Sequence, residues 1–77
     1  MLDHDKAMKL WNKVVGKSNT NVRDYKNREI RKESYGDRYS EFGWEVHHKV
    51  PYSQRGTDAF ENLVIVHYVT HDEIHGR

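Results

Sequence analysis

The 77-residue sequence contains no cysteine, a single proline and no long hydrophobic run. Without cysteine the fold has no disulfide to stabilise it. No apolar segment approaches the length of a membrane-spanning helix or a signal-peptide core, so we expect a cytoplasmic protein with no membrane partner. Only 35% of the residues are hydrophobic and 32% are charged. We therefore expect one small domain over residues 1–77, with a thin core that a bound metal ion would help to hold.

The net charge of +1 conceals an uneven distribution. Residues 6–38 contain ten Lys and Arg against four Asp and Glu, whereas residues 39–77 contain three against six. A basic half suits a polyanion partner, although a solvated charged surface is the common alternative in small domains. The candidate phosphate contacts are Arg23, Arg28, Arg31, Lys32, Lys49 and Arg55.

Five of the six histidines lie between residues 47 and 75. His71 and His75 are four residues apart, so on a helix they project from one face and can bind one metal ion. A third ligand is needed, and His47 and His48 are the obvious suppliers. Neighbours on a strand point to opposite sides. One of the two can face the metal while the other serves as a base.

Three further polar residues are candidates for supporting roles. Asn62 precedes the apolar run 63–66, and its carbonyl oxygen could hold a histidine ring in one tautomer. Glu45 could support either a ligand imidazole or an arginine. We expect His67 to be buried or to face phosphate rather than to act as a fourth ligand, and we place it among the residues that surround the site.

These residues, in this order, resemble a known family. The order Glu45-Val46-His47-His48, then Asn62-Leu63, then the pair His71 and His75 resembles the HNH endonucleases of the ββα-metal class, in their small freestanding bacterial or phage form. The resemblance places the general base on His48 and the motif asparagine on Asn62. It places the metal on His47, His71 and His75. Many relatives carry Asp in place of His47 and have structural cysteine pairs, so the all-histidine site looks more like the nuclease domains of colicins.

The resemblance implies a bacterial or phage-encoded enzyme that hydrolyses phosphodiester bonds in DNA with one divalent metal ion. Three imidazole ligands favour a transition metal (Mn, Zn or Ni) over Mg. We expect a monomer with weak specificity that nicks one strand, whereas a dimer would permit double-strand breaks. Two alternatives remain: the nuclease domain of a bacteriocin-type toxin, and a non-catalytic DNA-binding module around a structural zinc ion.

The predicted fold is α+β. The apolar stripe over residues 3–15, with Asp3 or Asp5 as cap, predicts an N-terminal helix. Around Lys26-Asn27 the pattern indicates a small β-hairpin or, alternatively, a short helix from Arg23. We expect residues 1–43 to support a ββα-metal (His-Me finger) motif over residues 44–77. Its strands are predicted at 44–50 and 63–67, followed by a helix from Thr70, as capping residue, through His75.

Overall fold

The structure is a computed structural model that describes residues 2–76. It is an α+β fold, as the sequence predicts, and along the chain a helix is followed by two antiparallel hairpins and a second helix. The elements are α1 (His4–Val14), β1 (Asn21–Arg23), β2 (Glu29–Arg31), β3 (Trp44–His48), β4 (Leu63–His67) and α2 (Tyr68–Ile74). Among the described residues, neither helix is both long enough and apolar enough to cross a membrane.

Helix α1 supplies one wall of the core. Asp3 caps it, because its side-chain oxygen accepts a hydrogen bond from the backbone N of Lys6 at 2.9 Å. The apolar stripe buries Leu10 and Trp11 completely. The Trp11 ring lies 5.1 Å from the ring of Trp44 on β3. The predicted helix and its cap are therefore confirmed, and the stripe packs α1 against the second hairpin.

The first hairpin joins β1 to β2, with Val22 paired to Ile30. Its turn passes through Asn27, whose φ of 66° lies in the left-handed region that asparagine tolerates. Ile30 is the residue of this hairpin that is fully buried. The predicted hairpin is confirmed, and the alternative of a helix from Arg23 is wrong.

The second hairpin pairs β3 with β4, from Trp44 opposite His67 to His48 opposite Leu63. Period-2 alternation turns Trp44 and Val46 into the core and leaves Glu45 and His47 partly exposed. Strand β3 was predicted to reach Val50 but ends at His48. The segment that would pair with its last residues forms a 3₁₀ turn over Phe60–Asn62, just before β4. Strand β4 has the predicted bounds.

Helix α2 follows β4 directly and packs on the hairpin. Its cap is His67, whose Nδ1 accepts a hydrogen bond from the backbone N of Val69 at 3.0 Å. The prediction that Thr70 caps the helix is wrong. Because α2 begins at Tyr68, directly after β4, Thr70 falls inside the first turn, where it is fully buried and bonded to Arg28 at 2.8 Å.

Candidate active site and metal centre

Three histidines from β3 and α2 converge at one side of the second hairpin. His47 comes from β3, while His71 and His75 come from α2. The ring of His47 lies 5.6 Å from that of His71 and 5.5 Å from that of His75. One ring nitrogen of each lies within 4.8 Å of the others. The three residues predicted to bind a metal are thus brought together, although His75 lies at the end of α2 rather than within it.

The geometry of this cluster fits a metal ion. The Nε2 atoms of His71 and His75 are 3.1 Å apart. Two ligands about 2.1 Å from a tetrahedral ion are separated by about 3.4 Å. Nδ1 of His47 is buried, and no described residue gives it a hydrogen-bond partner. Such a nitrogen costs about 1–3 kcal/mol if it stays unsatisfied, so a bound cation suits this pocket.

The electrostatics of His47 also suit a metal ligand. Burial lowers its pKa, and the neighbouring His71, His75 and His48 lower it further when they carry charge. A lowered pKa favours the neutral imidazole, which is the form that binds a metal ion.

Glu45 forms a hydrogen bond with the ring of His71, one of the three clustered histidines. Its Oε1 lies 2.8 Å from Nδ1 of His71. The carboxylate therefore accepts the Nδ1 proton, which leaves the Nε2 lone pair directed into the cluster. Arg38 donates Nε and Nη2 to the same carboxylate at 2.8 and 2.9 Å. Glu45 thus supports both an imidazole and an arginine, the two partners that the sequence left open.

Charge at Glu45 is maintained by these contacts. Burial raises its pKa, but the hydrogen bonds and charges of Arg38 and His71 outweigh burial, and the net pKa lies below its usual value. Glu45 therefore stays ionised at neutral pH. An ionised carboxylate fixes the tautomer and the orientation of the imidazole that it holds.

Arg38 is a component of the site that the sequence analysis did not identify. It donates Nη1 and Nη2 to Asp72 on α2 at 2.9 Å each, in addition to its bonds to Glu45 on β3. These hydrogen bonds, to Asp72 first and then to Glu45, raise the pKa of the guanidinium. Arg38 therefore links the strand that carries His47 to the helix that carries His71.

His48 is not one of the three clustered histidines, but it lines a cavity together with Glu45 and His71. Its Nε2 lies 2.8 Å from Oδ1 of Asp58. The hydroxyl of Tyr52 donates to the same oxygen, and the Tyr52 ring packs 4.7 Å from the imidazole. Hydrogen bonds from His48 and then Tyr52 lower the pKa of Asp58. Asp58 and Tyr52 were not identified from the sequence.

Asn62 does not hold a histidine ring in this structure. Its Oδ1 accepts a hydrogen bond from the backbone N of Val50 at 2.8 Å. Its Nδ2 donates to the carbonyls of Val50 and Thr57 at 3.0 and 2.8 Å. Because the backbone of Asn62 lies opposite Lys49, its side chain meets the chain just beyond His48. The expected contact is replaced by a brace across the loop over residues 50–57.

His67 is not part of the metal surroundings. Its Nε2 donates to the carbonyl of Glu41 at 2.8 Å, and its Nδ1 accepts from Val69. Both ring nitrogens are thus used, and the side chain is buried, 6% exposed. The expectation of a buried histidine is met. The ring contacts the backbone of Glu41 and Val69 and caps α2.

Two of the basic residues assigned to phosphate are engaged within the protein. Arg28 forms a bidentate ion pair with Glu73, at 2.9 and 3.0 Å, and donates to Thr70. Arg31 donates to Glu29 at 3.1 Å, and its guanidinium lies 3.8 Å from the centre of the Phe42 ring. These contacts tie the first hairpin to α2 and to the loop before β3.

Two others also have neighbours. Arg23 donates to the carbonyl of the hairpin turn at 3.0 Å. Nζ of Lys32 donates to Asn12 on α1 at 2.7 Å. Lys49 and Arg55, in contrast, are exposed on the segment that follows His48. Of the six residues proposed from the sequence, these two are the best placed to contact a polyanion at the site.

Comparison with known proteins agrees with this geometry. A family model described as HNH endonuclease matches residues 36–77, more than half of the chain. Neither the curated proteins nor the solved structures give a match. The matched segment contains the histidine cluster, His48 and Asn62. It also contains the motif order on which the resemblance in the sequence rests. The chain therefore belongs to the HNH endonuclease family, whose members are phosphodiesterases that use a divalent metal ion.

Proposed function

We propose that the chain is a metal-dependent DNA endonuclease that nicks one strand with little sequence preference. The observation that carries this proposal is the separation of two adjacent histidines on β3. His47 points into the three-histidine cluster, whereas His48 bonds to Asp58 outside it. One candidate ligand and one candidate base on neighbouring positions suit a hydrolysis that uses a single metal ion.

The chemistry divides between the cluster and His48. A divalent ion held by His47, His71 and His75 would polarise the scissile phosphate and stabilise the departing oxygen. His48 in its neutral form accepts a proton at Nδ1 from the attacking water. Its side chain is 16% exposed, so the ring is shielded but open to a water molecule. Because three imidazoles bind the ion, a transition metal (Mn, Ni or Zn) is favoured over Mg.

Substrate contacts in this proposal are made by backbone recognition. Lys49 and Arg55 are exposed on either side of the turn that follows β3, where they can reach phosphates beside the site. Phosphate contacts position DNA without reading its sequence. A monomer with one such site cuts one strand at each encounter, in a cytoplasmic bacterial or phage setting.

The test is a plasmid-nicking assay with the metal-free protein supplied separately with Mn²⁺, Ni²⁺, Zn²⁺ or Mg²⁺. We expect open circles with at least one ion. His48→Ala should lose at least ~100-fold of this activity, the usual contribution of a general base, while binding zinc as the parent does. His4→Ala is the control, because His4 is an exposed histidine on α1.

Three outcomes would contradict the proposal in different ways. Normal cleavage by His48→Ala would remove the base assignment. Linear DNA appearing without a nicked intermediate would indicate a dimer. Tight zinc retention without cleavage under any metal would favour the structural-zinc alternative.

A further inference from the structure

Outside the histidine cluster, one carboxylate has a position that the proposed reaction leaves unexplained. Asp58 lies in the loop between β3 and β4, and its Oδ1 receives both Nε2 of His48, at 2.8 Å, and the hydroxyl of Tyr52. The carboxylate is 36% exposed, whereas the imidazole is 16% exposed. The contact is therefore sheltered on the histidine side.

We infer that Asp58 is a positioning residue for the general base: it holds His48 in the Nε2–H tautomer and directs the Nδ1 lone pair toward the attacking water. This inference rests on the proposed function of His48. It assigns the reaction a residue that the sequence analysis did not identify.

The tautomer follows from the donor and acceptor inventory. An ionised carboxylate only accepts hydrogen bonds, so Nε2 of a neutral His48 must carry the proton in this contact. Nδ1 then carries the lone pair. The lowered pKa of Asp58 agrees with an ionised carboxylate at neutral pH. A general base needs the lone pair on the side of the water, and the wrong tautomer would present an N–H there.

Tyr52 restricts the same contact from a second direction. Its hydroxyl donates to the oxygen that His48 uses, and its ring packs on the imidazole with an interplanar angle of 41°. Oδ1 is thereby shared between two donors, and hydrogen bonds to an ionised acceptor are stronger than those between neutral groups. Rotation of the imidazole would break the bond to Asp58 and the ring packing together.

The loop that carries Asp58 is itself held in place. Asn62 bonds Val50 and Thr57, the residue immediately before Asp58. The motif asparagine therefore acts on His48 indirectly: it closes the loop, and the loop presents the carboxylate. This explains how Asn62 can affect the base without touching it.

A purely structural role for Asp58 is the competing explanation. To separate the two, we would record ¹⁵N spectra of the histidine rings in the zinc-loaded protein. Steady-state cleavage would be measured for Asp58→Ala, Asp58→Asn and Tyr52→Phe. Zinc stoichiometry and thermal melting of each variant report whether the metal site and fold persist.

We expect the parent His48 to show the Nε2–H tautomer. Asp58→Ala should populate both tautomers and lower kcat about tenfold to hundredfold, less than the full general-base contribution, with KM and zinc content unchanged. Asp58→Asn should recover part of kcat, because two donors converge on one oxygen and favour an amide that presents its carbonyl there. Tyr52→Phe should show the smallest loss of kcat.

An Nδ1–H tautomer in the parent would overturn the inference, and so would an Asp58→Ala variant with parental kcat. A kcat that falls only in proportion to zinc or stability, with no recovery in Asp58→Asn, would assign Asp58 a structural role and overturn it as well. The tautomer is measured without DNA, so it tests the positioning even if the parent fails to cleave. That failure would refute the proposed function instead.

Discussion

Removal of the Glu45 carboxylate tests how far the support of a ligand ring controls metal binding. In Glu45→Ala, His71 loses the acceptor that holds its Nδ1 proton at 2.8 Å. The ring is then free to rotate and to exchange tautomers, so its Nε2 lone pair is directed into the cluster for only part of the time. We expect metal affinity to fall while the three ligand side chains remain present.

The size of the effect follows from the depth of the contact. The Glu45 side chain is 15% exposed and that of His71 is 17% exposed, so solvent screens their hydrogen bond little. Loss of a residue that orients a ligand histidine commonly weakens metal affinity ~10- to 100-fold. At 25 °C this corresponds to about 1.4–2.7 kcal/mol of binding free energy.

The assay is a competition titration of zinc against a chelator at neutral pH. The matched control is Asp72→Ala, because Asp72 also accepts two hydrogen bonds from Arg38, at 2.9 Å each, and lies one residue from His71. We expect this control to lose clearly less affinity than Glu45→Ala. Equal losses in both variants would refute the reasoning, since they would show that Arg38 and general stability control the site. Unchanged affinity in Glu45→Ala would refute it as well.

Two further predictions concern the support of the site. Asp24 accepts hydrogen bonds at 3.0 Å from the backbone N of Arg28, Lys26 and His67; burial opposes its ionisation, but these bonds and one from Thr70 lower its pKa below 3.8. Asp24→Asn should therefore lower the unfolding free energy by about 1–3 kcal/mol in denaturant titrations above pH 5. The difference in unfolding free energy between parent and variant should shrink as pH falls through the lowered pKa of Asp24. A difference that grows on acidification would contradict the prediction. Gly56→Ala should lower kcat/KM with only a small change in melting temperature, because a Cβ there would lie 1.6 Å from the carbonyl oxygen of Val50 and must displace the loop that presents Asp58. Ser53→Ala in the same loop is the control. Equal activity of the two variants would show that the position of the loop is unimportant.

The regular helices and strands of the fold could be predicted from the sequence. Alternation along β3 placed His47 and His48 on opposite sides, and the spacing of four placed His71 beside His75. These are consequences of strand and helix geometry, which act within a few residues. For the same reason the N-terminal helix and its Asp3 cap could be predicted.

The contacts that could not be predicted from the sequence depend on the path of the loops. Arg38 meets Asp72 across 34 residues, and Asp58 meets His48 across a loop that has no periodicity. No local pattern relates such positions. The cap of α2 was misplaced because the prediction left two residues between the end of β4 and the cap, whereas α2 begins at Tyr68, directly after β4. Asn62 was predicted to bond to a histidine ring, but its side chain bonds to backbone atoms of Val50 and Thr57.

Two residues on the turn of the first hairpin contact α2 and the residue before it. Arg28 donates hydrogen bonds to Thr70 and Glu73, and Asp24 accepts one from the backbone N of His67. The seven-residue helix α2 is too short to be stable by itself, so this turn stabilises from outside the helix that carries His71. Transplanting the ββα segment into another host would therefore require an equivalent surface against α2. Substitutions on the hairpin can likewise tune the metal centre from outside the matched family segment.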